Sequence, residues 1–171
     1  MTSRILVLGA TLVSLAVTVA CSRPQESPPP DPVQLAALDL VLAEPPQGWA
    51  IEDGGAEVRL SGDDETTVGT LTLSVRSEFD ANLVAAVEHH REAIEAAGDT
   101  YFGRQELVTQ LGTALTSRGE RTTNGATVGE TLIVALHPRQ DGIIHLVARY
   151  PSGEAPSARV QAAIDVFALI E

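Results

Sequence analysis

Apolar and polar positions alternate most cleanly in residues 68–76, VGTLTLSVR. Leu71, Leu73 and Val75 fall on one parity, and Thr70, Thr72, Ser74 and Arg76 on the other. A period of two predicts a strand with one buried and one wet face, and so an antiparallel sheet. Residues 56–60, AEVRL, alternate likewise after the turn residues Glu52-Asp53-Gly54-Gly55. Residues 35–42, LAALDLVL, are apolar enough for a strand or a short helical lead-in. Four later segments, residues 105–111, 114–121, 126–136 and 143–150, are strand-like and separated by Gly112, Asn124-Gly125 and Asp141-Gly142. Both dipeptides predict tight hairpins, and Val128, Leu132, Val134 and Leu136 share a parity, so a meander is expected.

The period changes to that of a helix twice. Asp80 is the expected N-cap of a helix running to about Ala97, with Leu83, Val87, His90/Arg91 and Ile94 on successive turns and Gly98 as its stop. Pro156 opens a second, whose stripe is Val160, Ile164, Phe167 and Ile170. Strands, helix, strands, helix predicts an α+β domain, an antiparallel sheet flanked by helices.

The chain divides into residues 1–20, a signal peptide; 21–34, a proline-rich tether; and 35–171, the domain. Arg4 precedes an uncharged stretch over residues 5–19, which is short for a membrane span and fits a cleavable signal. Val17-Thr18-Val19-Ala20-Cys21 resembles a bacterial lipobox, with Thr18 where leucine is usual. Cys21, the only cysteine, is the expected lipidation site, and two or more acyl chains there give stable anchoring. SRPQESPPPDPV after it favours polyproline II, a stand-off tether of up to about 35–40 Å. The partner expected here is membrane lipid, reached through acylated Cys21.

Composition narrows the function classes. With 11 arginines, no lysine and 23 carboxylates, the formal net charge of −12 repels nucleic acid, which is not an expected partner. Six aromatics are too few for a stacking groove.

Three features occur together: the Pro-x-Gly-Trp turn at residues 46–49, the GTLTLSV strand, and LVTQLGTALTSRGERTTNGATVGETLIVALHPRQDGIIHLVARYPSG before a terminal helix. Together they resemble the Mog1/PsbP-like superfamily, including bacterial PsbP-like and DcrB-like lipoproteins, over about residues 38–171. The resemblance implies an α/β/α sandwich and a scaffold or adaptor role in place of catalysis, although fold alone does not carry function.

Candidate chemistry is sparse. His89 and His90 are consecutive, so on a helix they point about 100° apart and cannot share one ion. His137 and His145 flank Asp141-Gly142 and could face each other across a hairpin, but no third ligand is obvious; ordinary surface or strand histidines outweigh a metal site. Asp63-Asp64-Glu65 lacks the spacing of a calcium loop, and Trp49 reads as a cap on the core. No nucleophile elbow, zinc motif or phosphate loop appears, and neither metal nor cofactor is expected. A hydrolase would need Ser, His and carboxylate to converge in one cleft. The expectation is a non-catalytic, membrane-anchored envelope lipoprotein that binds an envelope protein. The alternative is a carrier of a small apolar ligand or lipid.

Overall fold

The computed structural model describes residues 31–43, 49–62, 70–152 and 156–171. The expected signal peptide, Cys21, most of the expected tether, residues 46–48, the Trp49 side chain and Asp63-Asp64-Glu65 lie outside the described residues.

The elements are β1 (Val33–Leu35), β2 (Leu40–Leu42), β3 (Trp49–Asp53), β4 (Glu57–Gly62), β5 (Thr70–Arg76), α1 (Leu83–Ala96), β6 (Tyr101–Thr109), β7 (Gly112–Thr123), β8 (Ala126–Leu136), β9 (Ile143–Pro151) and α2 (Pro156–Ala168). Seven strands form one sheet in the order β3-β4-β5-β9-β8-β7-β6, with every neighbouring pair antiparallel. Helices pack on both faces, which is the α/β/α sandwich expected. The ambiguous segment 35–42 is both things at once: β1 and β2 pair across a 3-10 turn at Ala36–Leu38, with Asp39 left-handed at φ 52°.

Side-chain parity sorts the sheet into two layers. Leu71, Leu73, Ile133, Ala135, Ile144 and Leu146 point to the α2 side and pack with Ala163, Val166, Phe167 and the β1–β2 ribbon. Leu132, Val134 and Ile143 point the other way, onto Ala86 and Val87 of α1. β8 is therefore buried on both faces from Gly129 to Ala135. The C-terminus closes the α2 side, because Val41 and Glu171 exchange backbone hydrogen bonds of 3.0 and 2.8 Å. Of the expected α2 stripe, Phe167 and Ile170 are buried, Ile170 lying past the helix end at Ala168 and bridging to Leu42; Ile164 is half-buried on the flank, Ala163 and Val166 are buried beside it, and the Val160 side chain lies outside the described residues.

Two boundary expectations are corrected. Asp80 is not the N-cap: Asp80 and Ala81 have φ of 47° and 57°, whereas a cap needs an extended backbone. Asn82 has it, and its side chain accepts the Ala85 N–H at 3.1 Å. Gly98 does stop the helix, at φ 75°, with Gly98 N–H on Glu95 O and Asp99 N–H on Ile94 O in a Schellman closure. Asn124-Gly125 makes a two-residue turn with φ 53° and 78°, as expected of a type I′ hairpin. Asp141-Gly142 does not. The strands part at Leu136 and Ile143, and the connection is shaped by buried His137. Its Nε2 contacts Leu38 O at 2.8 Å, and its Nδ1 accepts the N–H groups of Arg139 and Gln140 at 3.1 Å each.

Candidate functional site

The most organised polar cluster lies where α1 crosses β7 and β8. Helical spacing turns Ala86, Val87, His90 and Ile94 onto the sheet, so a histidine enters an otherwise apolar stripe. On β8, Glu130 shares the parity of Leu132 and Val134 and points to the same side. Gly119 of β7 lies opposite Glu130 and lets α1 approach, because a Cβ there would stand 2.6 Å from Ile94 Cδ1. His90 bridges the layers, with Nδ1 2.8 Å from Ser117 Oγ and Nε2 3.0 Å from Glu130 Oε1. A carboxylate can only accept, so Nε2–H donates to Glu130, and Nδ1 shares the hydrogen bond with the Ser117 hydroxyl, which can serve as donor or acceptor. Arg149 Nε donates to Glu130 Oε2 at 2.6 Å, and Arg121 Nη1 stands 3.6 Å from Oε1.

Glu130 is 2% exposed. Burial alone would push its carboxyl up, but the hydrogen bonds from His90 and Arg149 and the positive charge of Arg149 outweigh it and hold the pKa at about 2. The carboxylate is ionised across the physiological range.

Ser117, His90 and Glu130 thus stand as a hydroxyl, a base and an orienting carboxylate, the geometry of an activated nucleophile. Access decides what it can do. Ser117 is 0% exposed, and the adjoining cleft of about 290 Å³ touches His90 and Glu130 without reaching it. The hydroxyl is shut between helix and sheet, so the cluster functions as a polar clasp holding α1 down.

That cleft opens between Phe79, α1 and the β5–β9–β8 strands, with Arg76, Arg121 and Arg149 around it. Phe79 stacks on His145 at 5.5 Å between ring centroids and 9° between planes. His145 Nε2 is buried with no partner among the described residues, and burial together with the nearby Arg76 charge lowers its pKa to about 4, so the ring is neutral. Beyond the cleft the face of β3, β4 and β5 on the α1 side is open. Glu57, Arg59 and Thr70 are exposed there, with a depression of about 570 Å³ at Glu52, Asp53, Glu57, Arg59 and Thr72.

Of the residues singled out from sequence, the structure separates His137 from His145. His137 is tied to Leu38 on the ribbon and His145 is stacked on Phe79 beneath α1, while Asp141 is exposed. They form no pair, because the long connection moves His137 out of the ladder. His90, placed with Arg91 on the stripe of the helix, is the buried member of that pair, and Arg91 is half-buried. Ser117, Glu130, Arg121 and Arg149 were not singled out. The legible signal was Glu130 itself, a carboxylate on the buried parity of β8.

The architecture is that of the Mog1/PsbP-like fold. Neither family models nor curated proteins match the chain. Among solved structures, one from Bacteroides thetaiotaomicron is 14% identical with a TM-score of 0.51, covering 77% of this chain; this chain spans 44% of that one. PA94, a protein of unknown function from Pseudomonas aeruginosa, is 14% identical with a TM-score of 0.50, over 80% of this chain and 92% of its own. The Ran-binding protein Mog1p of Saccharomyces cerevisiae is 14% identical with a TM-score of 0.49, over 80% of this chain and 87% of its own. At these identities the likeness is one of fold.

Proposed function

We propose that this chain is a bacterial lipoprotein, anchored to a cell-envelope membrane by acyl chains on Cys21, whose domain binds an envelope protein and is not an enzyme. The observation that carries the binding reading is the contrast on one face of the sheet. In the only arrangement resembling catalytic machinery among the described residues, the Ser117 hydroxyl is shut beneath α1, while the neighbouring strands β3 to β5 present an open surface of mixed charge. Such a surface suits a polar protein partner. The carrier reading has less support, because the inward side chains of the central strands are consumed in packing: Leu73, Ile133, Ile144 and Leu146 are each 0% exposed, where a carrier needs them to line a cavity.

Anchoring is supported by the position of the lone cysteine after a small residue at the end of an apolar stretch. Mass spectrometry of the mature N-terminus tests it: an acylated N-terminal Cys21 is expected, and unmodified Cys21 or retention of residues 1–20 refutes it. Binding is tested separately. A photo-crosslinking amino acid placed at Thr72 on the open face should capture one envelope protein from intact membranes, whereas the same probe at exposed Gln161 on α2 should not. Equal capture at both positions, or none at Thr72, overturns the reading.

A further inference from the structure

β6 is an edge strand nine residues long, and nothing among the described residues pairs with its outer side. Natural edges of this length are usually blunted by lysine, proline or an inward charge. This one has a bulge near its start and the charges of Arg104 and Glu106 but neither lysine nor proline, and it exposes Val108 at 90% and Phe102 at 56%.

The ladder fixes which backbone groups look outward. The two-residue turn between Thr109 and Gly112 makes that closing pair a hydrogen-bonded one, so odd residues of β6 bond β7. The Asn124-Gly125 turn gives the same answer independently. Its closing pair, Thr123 and Ala126, directs the odd residues of β7 to β8 and leaves the even ones for β6. The N–H and C=O groups of Arg104, Glu106 and Val108 are therefore turned to the open side.

We infer that β6 pairs antiparallel with β6 of a second copy of this chain about a two-fold axis at Gln105, joining two seven-stranded sheets into one. The sequence is self-complementary in this register. Arg104 faces Glu106 of the other copy, Phe102 faces Val108, and Gln105 faces itself. The two Arg104–Glu106 pairs are those whose backbone groups look outward, as an antiparallel ladder requires, and Gln105–Gln105 is the non-hydrogen-bonded pair between them. The neighbouring registers that keep outward groups paired fail on charge, since one puts Arg104 opposite Arg104 and the other Glu106 opposite Glu106. Like charges directly opposite are destabilising. The interface is isologous and closes at two copies.

Two features bear on its fit. Arg104 already donates to Glu88 of α1 at 3.0 Å, and its remaining donors can reach a second carboxylate. A bulge between Tyr101 and Gly103 bends the strand at Phe102, so the Arg104 to Val108 stretch sets the register. The α1 helices of the two copies would lie over their β7 strands, about 14 Å apart at three strand spacings, which leaves room for both.

The test is a charge swap with a register probe, made in the full chain with Cys21→Ser so that an introduced cysteine is the sole thiol. Sedimentation of the parent should give a dimer. Arg104→Glu and Glu106→Arg should each weaken it roughly tenfold or more, because both symmetry-related pairs become repulsive. The double variant R104E/E106R should restore it. Under mild oxidation Gln105→Cys should cross-link to itself, and Val108→Cys, about 20 Å from its own copy in this register, should not. A monomeric parent, a dimer indifferent to both single reversals, a double variant that stays weak, cross-linking at Val108 in preference to Gln105, or cross-linking of Gln105→Cys only to a different protein each overturns the proposal. Circular dichroism of the single variants separates lost pairing from lost folding. The result is independent of whether Cys21 is acylated.

Discussion

Replacing Glu130 by glutamine keeps the volume of the side chain and removes its charge. In the folded protein the carboxyl sits at about 2, against about 4.3 for an unperturbed glutamate. At roughly 1.4 kcal/mol per pH unit, that displacement corresponds to about 3 kcal/mol of stability linked to one proton. Arg149 is half exposed, so water screens part of its attraction, and about 2 kcal/mol is the better expectation. The sign follows from the direction. A depressed carboxyl contributes its full stabilisation above the unfolded pKa, near pH 4.3, and loses it as pH falls toward about 2, because the unfolded chain takes up the proton first.

Glutamine does not titrate, so the difference between wild type and Glu130→Gln isolates this proton. At pH 7 the variant should be less stable by about 2–4 kcal/mol. Its amide can accept from His90 or from Arg149 but presents a donor to the other, leaving a buried polar group unpaired. Urea unfolding followed by far-ultraviolet circular dichroism at intervals from pH 7 to pH 3 gives both curves. The gap should narrow by about 1–2 kcal/mol over that range. Parallel curves would show that Glu130 is not held ionised by the clasp, and a variant that loses stability faster in acid than wild type would reverse the assignment.

Other positions give independent checks. His145, held down to about 4, is a half-buried neutral histidine. Its contribution is whole above pH 6.5 and declines below it as the unfolded chain binds the proton first; its ring resonances in nuclear magnetic resonance should stay unprotonated at pH 5.5, and His145→Phe should flatten stability between pH 6.5 and 4. Ser117→Ala should cost about 1 kcal/mol in urea unfolding, the worth of one hydrogen bond, and leave capture of a partner at Thr72 unchanged. Gly129→Ala should destabilise by about 1–3 kcal/mol, since its Cβ would fall 2.1 Å from the Tyr150 ring, and Tyr150→Ala in the same chain should recover part of that loss in thermal unfolding. Asn82→Ala should cost about 1 kcal/mol through the lost cap of α1.

The sheet was legible in the sequence because strands buried on one face or two leave a periodic record, and Asn124-Gly125 permits few backbones other than the turn it makes. The sites that misled are those where one side chain overrides a local rule. Asp80 is a good cap by residue type, yet the chain is still turning left-handed there, and the extended backbone that a cap needs is reached only at Asn82. Asp141-Gly142 is a good hairpin dipeptide, but His137 draws the end of β8 toward Leu38 across the molecule, a contact 99 residues apart in sequence. The clasp was hidden for a related reason. Its members come from α1, β7, β8 and β9, and no local pattern can say that His90, Ser117, Glu130 and Arg149 meet. What a pattern can say is that a carboxylate occupies a buried parity, and such a group must find donors or lose its charge. Glu130 therefore called for donors that its own strand could not name, and the register of β8 against β9 supplies one by setting Glu130 opposite Arg149.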